Sequence, residues 1–171
     1  MNEEGLNLGV VNQLTAESFG EPGQRTFRLR AVTASGEVSI WLEKEQVVAL
    51  GAAVEQILER VPANQGDIPR PVRQPAQVSG EVVARAGSLS LAFDTTQNAF
   101  AIEATELWEA TLDVQSLLLL ATRDQLASVE EQVDEIVAAG RPRCPMCGTP
   151  LTESAHFCPP SNGHARVRSL E

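Results

Sequence analysis

Two helix-forming stretches, each following a run of strand-like segments, constrain this chain more than any other feature. In the first, Val47, Leu50, Val54, Ile57 and Leu58 recur at spacings of three and four. That spacing places them on one buried helical face. A shift of 79 residues superimposes a second such stretch. Gln46 then meets Gln125, Leu50 meets Val129, Val54 meets Val133 and Ile57 meets Ile136, while Lys44 and Glu45 meet Arg123 and Asp124. Upstream of the first stretch, Leu8 to Phe19 interleaves apolar residues and reads as a strand. Gly20-Glu21-Pro22-Gly23 reads as a turn with proline second and glycine third, and strands over Thr26 to Thr33 and Val38 to Leu42 follow it. Upstream of the second, Ser88 to Phe93 and Ala99 to Thr105 flank the polar hairpin loop Asp94 to Asn98, and a third strand lies near Val114 to Ala121. The second helix is expected from about Thr122 to Ala139, stopped by Gly140 with Pro142 beyond.

The order is therefore β-β-β-α twice. The expectation is an α+β fold in which two halves form a largely antiparallel sheet, with both helices on one face. The body covers residues 1–140, with halves at about 5–61 and 80–140 joined by a proline-rich linker at 62–79. A tail occupies 141–171.

Charge limits the partners. The chain carries 13 Lys+Arg against 23 Asp+Glu, a net charge of −10 over 171 residues. It lacks the cationic footprint of a nucleic-acid or anionic-membrane binder. The charge is uneven: Arg141, Arg143, Arg166 and Arg168 face only Glu153 and Glu171, so the tail is at +2 and the body at −12. No apolar run reaches the ~20 residues that span a bilayer. The acidic start Met1-Asn2-Glu3-Glu4 is not that of a signal peptide. All three cysteines lie within fifteen residues, an odd number with a C-x-x-C pair, which argues against a disulfide scaffold and for the reducing cytoplasm.

Those cysteines carry the strongest chemical signal. Cys144-Pro-Met-Cys147-Gly forms a knuckle: proline holds a tight turn, glycine permits positive φ, and two thiolates converge on one cation. His156-Phe-Cys158 offers a second pair after eight intervening residues, enough for a short hairpin to return it. Zinc takes four nitrogen or sulfur ligands in a tetrahedron, and a site closed by four protein ligands is structural. Cys144, Cys147 and Cys158 are three ligands; His156 or His164 is the fourth. About thirty tail residues cannot build an apolar core, so a structural Zn2+ would organise them.

The segments Phe19-Gly20-Glu21-Pro22-Gly23-Gln24-Arg25-Thr26-Phe27 and Leu42-Glu43-Lys44-Glu45-Gln46 can be read together with the tail Cys-Pro-x-Cys-Gly-x-Pro-Leu…His-x-Cys-Pro-x-x-Asn-Gly. Together they resemble an uncharacterised bacterial domain-of-unknown-function family with a zinc-ribbon-like C-terminus. The resemblance spans most of the chain apart from residues 62–80. It implies His156 as the fourth ligand, because the histidine before Cys-Pro recurs in that family and the position of His164 is often aromatic. It implies no reaction.

Other constellations are weaker. Gly20 to Arg25 could cradle an anion with Arg25 assisting, but the phosphate-loop pattern and its following helix are absent. Glu43 and Glu103 could do acid–base chemistry if they converged. Glu130, Glu131, Asp134 and Glu135 read as the solvated face of the second helix. With both histidines in the tail and no nucleophile elbow, no catalytic residue is assigned. The sequence reading is a cytoplasmic zinc-binding protein that serves as a protein-interaction or adaptor module. The alternative is a binder or enzyme for a nucleotide-like or phosphorylated small molecule, held between the halves by Arg25, Glu43 and Glu103.

Overall fold

Alternating apolar residues form the strands, and the 3–4 periodicity forms two helices. The structure, a computed structural model, describes residues 5–70, 74–140, 144–149, 151 and 158. The order is β1 (Leu6–Val10), β2 (Gln13–Phe19), β3 (Thr26–Val32), β4 (Gly36–Leu42), α1 (Lys44–Arg60), β5 (Gly80–Asp94), β6 (Ala99–Trp108), β7 (Ser116–Ala121) and α2 (Arg123–Ala138). The fold is α+β. One seven-stranded sheet runs β1-β7-β6-β5-β4-β3-β2, with four antiparallel ladders and parallel ladders at β1–β7 and β4–β5.

The strand expected over Leu8 to Phe19 is two strands, and they lie at opposite edges of the sheet. The break is local. Val11 N–H donates to Leu120 O in β7, and Asn12 N–H donates to Val32 O in β3. Two consecutive residues thus bond to the strands next to the two opposite edges, so the sheet curls until its outer strands meet at Val11–Asn12. The strand expected at Ser88 starts earlier, at Gly80, because Gly36 to Trp41 of β4 hydrogen-bonds alongside Gly80 to Arg85 in parallel. Parallel pairing needs a long crossover, here α1 and the segment after it, and leaves no short-range mark in the sequence.

Pairing registers repeat between the halves. Leu29 faces Ile40 as Ile102 faces Leu119, and Ala31 faces Val38 as Ala104 faces Leu117. Leu14 faces Ala31 as Leu89 faces Ala104. Trp41 faces Arg85 as Leu120 faces Val10. The helices repeat as well. Gln46 accepts from Glu43 N–H and donates to the β5 carbonyls of Ala86 and Gly87. Gln125 accepts from Thr122 N–H and donates to Val11 O. Each glutamine closes the first turn of its helix and pins it to the sheet, Gln46 to β5 and Gln125 to the break between β1 and β2.

Inward residues of all central strands meet the helices in one core. Leu29, Ile40, Ile102 and Leu119 are fully buried, together with Val54 of α1 and Leu126 and Val129 of α2. The helices run antiparallel and touch at Gly51, where a Cβ would lie 2.7 Å from Val133 Cγ1. A glycine is needed there for space, not for its φ. Residues 62–70, expected as linker, are tied down. Arg123 donates to the carbonyls of Leu58, Val61, Pro62 and Gln65, and its guanidinium lies 5.5 Å from the Phe100 ring centroid. Among the described residues, no helix is long and apolar enough to cross a membrane.

Candidate metal centre

Beyond α2 the chain turns sharply at the first cysteine pair. Gly148 N–H donates to Cys144 O at 2.8 Å and Cys144 N–H donates to Thr149 O at 2.9 Å, with Gly148 at φ +71°. The first bond closes a turn over Pro145, Met146 and Cys147. The positive φ lets the chain reverse immediately after the second thiol, at a backbone position that glycine occupies without strain.

The sulfur atoms of Cys144, Cys147 and Cys158 all lie within 4.8 Å of one another, and none is in a disulfide. Cys144 and Cys158 are each only 6% exposed, although neither belongs to the apolar core. Their sulfurs are 3.7 Å apart. Two thiolates on one tetrahedral zinc, each about 2.3 Å from it, sit about 3.8 Å apart. The separation matches that spacing and is far longer than an S–S bond of about 2.05 Å. Thr149 Oγ1 lies 3.3 Å from Cys147 Sγ. The donor set can hold a metal ion, and three soft sulfurs favour zinc-like cations over calcium or magnesium. His156 and His164 both lie outside the described residues.

The other sequence candidates are placed on separate elements. Arg25 closes the β2–β3 connection, where Gln24 N–H donates to Glu21 O as in a type II turn, and its Nη1 lies 3.4 Å from Ile136 O in the last turn of α2. A cation there complements the helix dipole. Glu43 is the N-cap of α1, with one carboxylate oxygen 4.0 Å from Arg85 Nη1. Glu103 sits in β6 between Ser90 of β5 and Leu118 of β7. No hydrogen bond or ion pair joins any two of these three among the described residues.

The acidic face of α2 needs one correction. Glu131, Asp134 and Glu135 are exposed, but Glu130 is half-buried at the seam with α1. Burial raises its pKa above the ordinary carboxylate value, and the charges of Glu55, Asp134, Glu131 and Glu59 push the same way. Periodicity shows which face of α2 is polar. It cannot show that α1 turns its own carboxylates toward that edge.

Fold and site together define an α+β protein, a curled sheet with two helices, ending in a three-cysteine cluster able to bind metal. The chain belongs to the family described as "Protein of unknown function (DUF3090)", whose model matches residues 7–158. That span runs from β1 to the third cysteine. No curated protein and no solved structure matches the chain.

Proposed function

We propose that the protein binds one structural Zn2+ through Cys144, Cys147, Cys158 and His156, and acts in the cytoplasm as a protein-interaction or adaptor module without catalytic activity. The convergence of three sulfurs within 4.8 Å carries the reading. A closed four-ligand site leaves no coordination position for water or substrate, so its contribution is folding energy. His156 is favoured over His164 because it lies two residues from Cys158 and completes a compact second knuckle. The acidic body supports a protein partner and argues against nucleic acid.

Elemental analysis of protein purified without added metal tests the centre. One zinc per chain is expected, with His156→Ala losing metal to a chelator at least tenfold more readily than His164→Ala. Clearly substoichiometric zinc with reduced thiols would overturn the site, and a reversed order of the two histidine variants would overturn the ligand assignment. Pull-down from native lysate tests the adaptor role, with a reproducible protein partner expected.

A further inference from the structure

We propose that the free edge of β5, from Leu89 to Phe93, takes up an extended partner segment as an added strand, one that alternates small apolar residues with arginine or lysine. This rests on the interaction-module reading and names its docking surface.

The two halves differ in one respect that their shared registers make visible. In the first half, α2 covers β2: Leu14 is 3% exposed, and Ala16 N–H donates to Gln132 Oε1 at 2.7 Å. Ala16 faces Leu29 as Leu91 faces Ile102, so Leu91 is its counterpart. Stepping back 79 residues from Gln132 reaches Ala53, which has no side-chain acceptor. Where α2 fills the space with an amide, α1 leaves a groove of about 360 Å³, lined by Ala49, Ala53, Leu89 and Leu91, with Gln46 at its head. Leu89 and Leu91 are only half-buried there.

The backbone direction follows from the same comparison. Ladder pairing of β5 with β4 ends at Arg85, so beyond it β6 is the strand that pairs with β5 among the described residues. The consecutive carbonyls of Ala86 and Gly87 both accept from Gln46, which reverses the usual alternation. Counting on from Gly87, the peptide groups of Leu89, Leu91 and Phe93 face away from β6 into the groove, as Ala16 faces Gln132. An unpaired edge above an apolar trough is the template for strand addition.

Charge selects the occupant. Glu103 stands across from Ser90, Glu106 lies against Gly87, and Glu45 precedes Ala49 by one helical turn. Arg85, the nearest cation along β5, is engaged by Glu109 and Glu43. An added strand would place every second side chain toward Ala49 and Ala53, where only small apolar groups fit, with Glu45 at that end of the groove, and the others on the sheet face that carries Ser90 and Glu103.

The probe is a labelled ten-residue peptide of alternating valine and arginine, titrated into the full zinc-loaded chain. Binding is expected to weaken about tenfold or more in Ala53→Gln, which supplies the acceptor that Gln132 supplies in the other half. Glu103→Gln is expected to weaken it severalfold and to reduce its salt dependence. In the unmodified chain, the peptide should slow amide exchange at Leu89, Leu91 and Phe93 and leave Ser88 and Ser90 as they were. That readout stands even if a variant fails to fold. Equal affinity for Ala53→Gln, equal binding of a peptide with proline in place of valine, or no protection of the three amides overturns the proposal. Tighter peptide binding by the Arg166→Glu, Arg168→Glu chain would show the groove occupied by the chain's own tail and overturn an external partner. Zinc content reads the metal centre separately, and stays at one per chain in Ala53→Gln whichever way the peptide behaves.

Discussion

Glu130 shows how a single side chain can be set by the partner element and not by its own. Its carboxylate meets Glu55 and Glu59 across the seam between the helices, and burial there raises its pKa. The folded chain then holds a proton more tightly at this position than the unfolded chain does. Between the ordinary glutamate value of 4.5 and the raised folded value, stability falls as pH rises, and the full penalty persists above that window. Glu130→Gln is therefore expected to raise the urea midpoint at pH 7 in low salt. The gain should shrink in high salt, because the neighbouring carboxylates are exposed and screened. It should vanish below pH 4.5, where the native side chain is itself neutral. A variant with an unchanged midpoint at pH 7, or a gain that persists at low pH, would refute this account. The same logic explains Gly51, whose missing side chain lets Val133 approach. Neither residue stands out in a single amphipathic pattern, because each owes its state to the other helix.

At the scale of elements, much was legible because local rules and tertiary packing agree. The second helix starts and ends within a residue of its expected bounds, with Thr122 capping its start and Ala138 its last residue. The hairpin at Asp94 forms as its polar loop implies, with Asp94 accepting from Thr96 N–H and Gln97 N–H. The cysteine trio was legible as well, since its spacing permits the return that brings the three sulfurs within 4.8 Å of one another. What stayed hidden was long-range: the split of β1 from β2, both parallel ladders, and the anchoring of 62–70. Nothing in a proline-rich run announces that an arginine 58 residues beyond Gln65 will bind its carbonyl. Four carbonyls at the end of α1 depend on Arg123. Hydrogen bonds to a charged donor contribute about 1.5–3 kcal/mol apiece at best, less where water reaches them. Arg123→Ala is expected to cost about 2 kcal/mol or more of unfolding free energy. Limited trypsin digestion should then cut after Arg60, which Val61 follows, well before the rest of the body. A variant that loses stability without faster cleavage there would place the role of Arg123 on Phe100 and not on the α1 end.

At the scale of the whole molecule, the cysteine cluster stands apart from the apolar core. The apolar core draws on every strand of the sheet and both helices, and it contains none of the cysteines. Cys144 and Cys158 are nevertheless buried, so something other than that core shields them. If the shield is a metal-organised knuckle, metal and core are separable, because the core cluster of the described residues includes none of the cysteines. Chelation under reducing conditions is then expected to expose three titratable thiols per chain while far-ultraviolet dichroism barely changes. The main melting transition should shift by no more than about 2–4 °C, the equivalent of about 1 kcal/mol in a chain of this size. The argument has a direct converse. In a small metal-dependent domain, binding free energy is folding free energy, and chelation unfolds it entirely. A body that melts with its metal would mean that the cluster supports the curled sheet, against the division drawn here. A body that keeps its transition while the thiols become reactive would place the metal's whole contribution beyond α2, leaving the β5 edge and the acidic surface as they were.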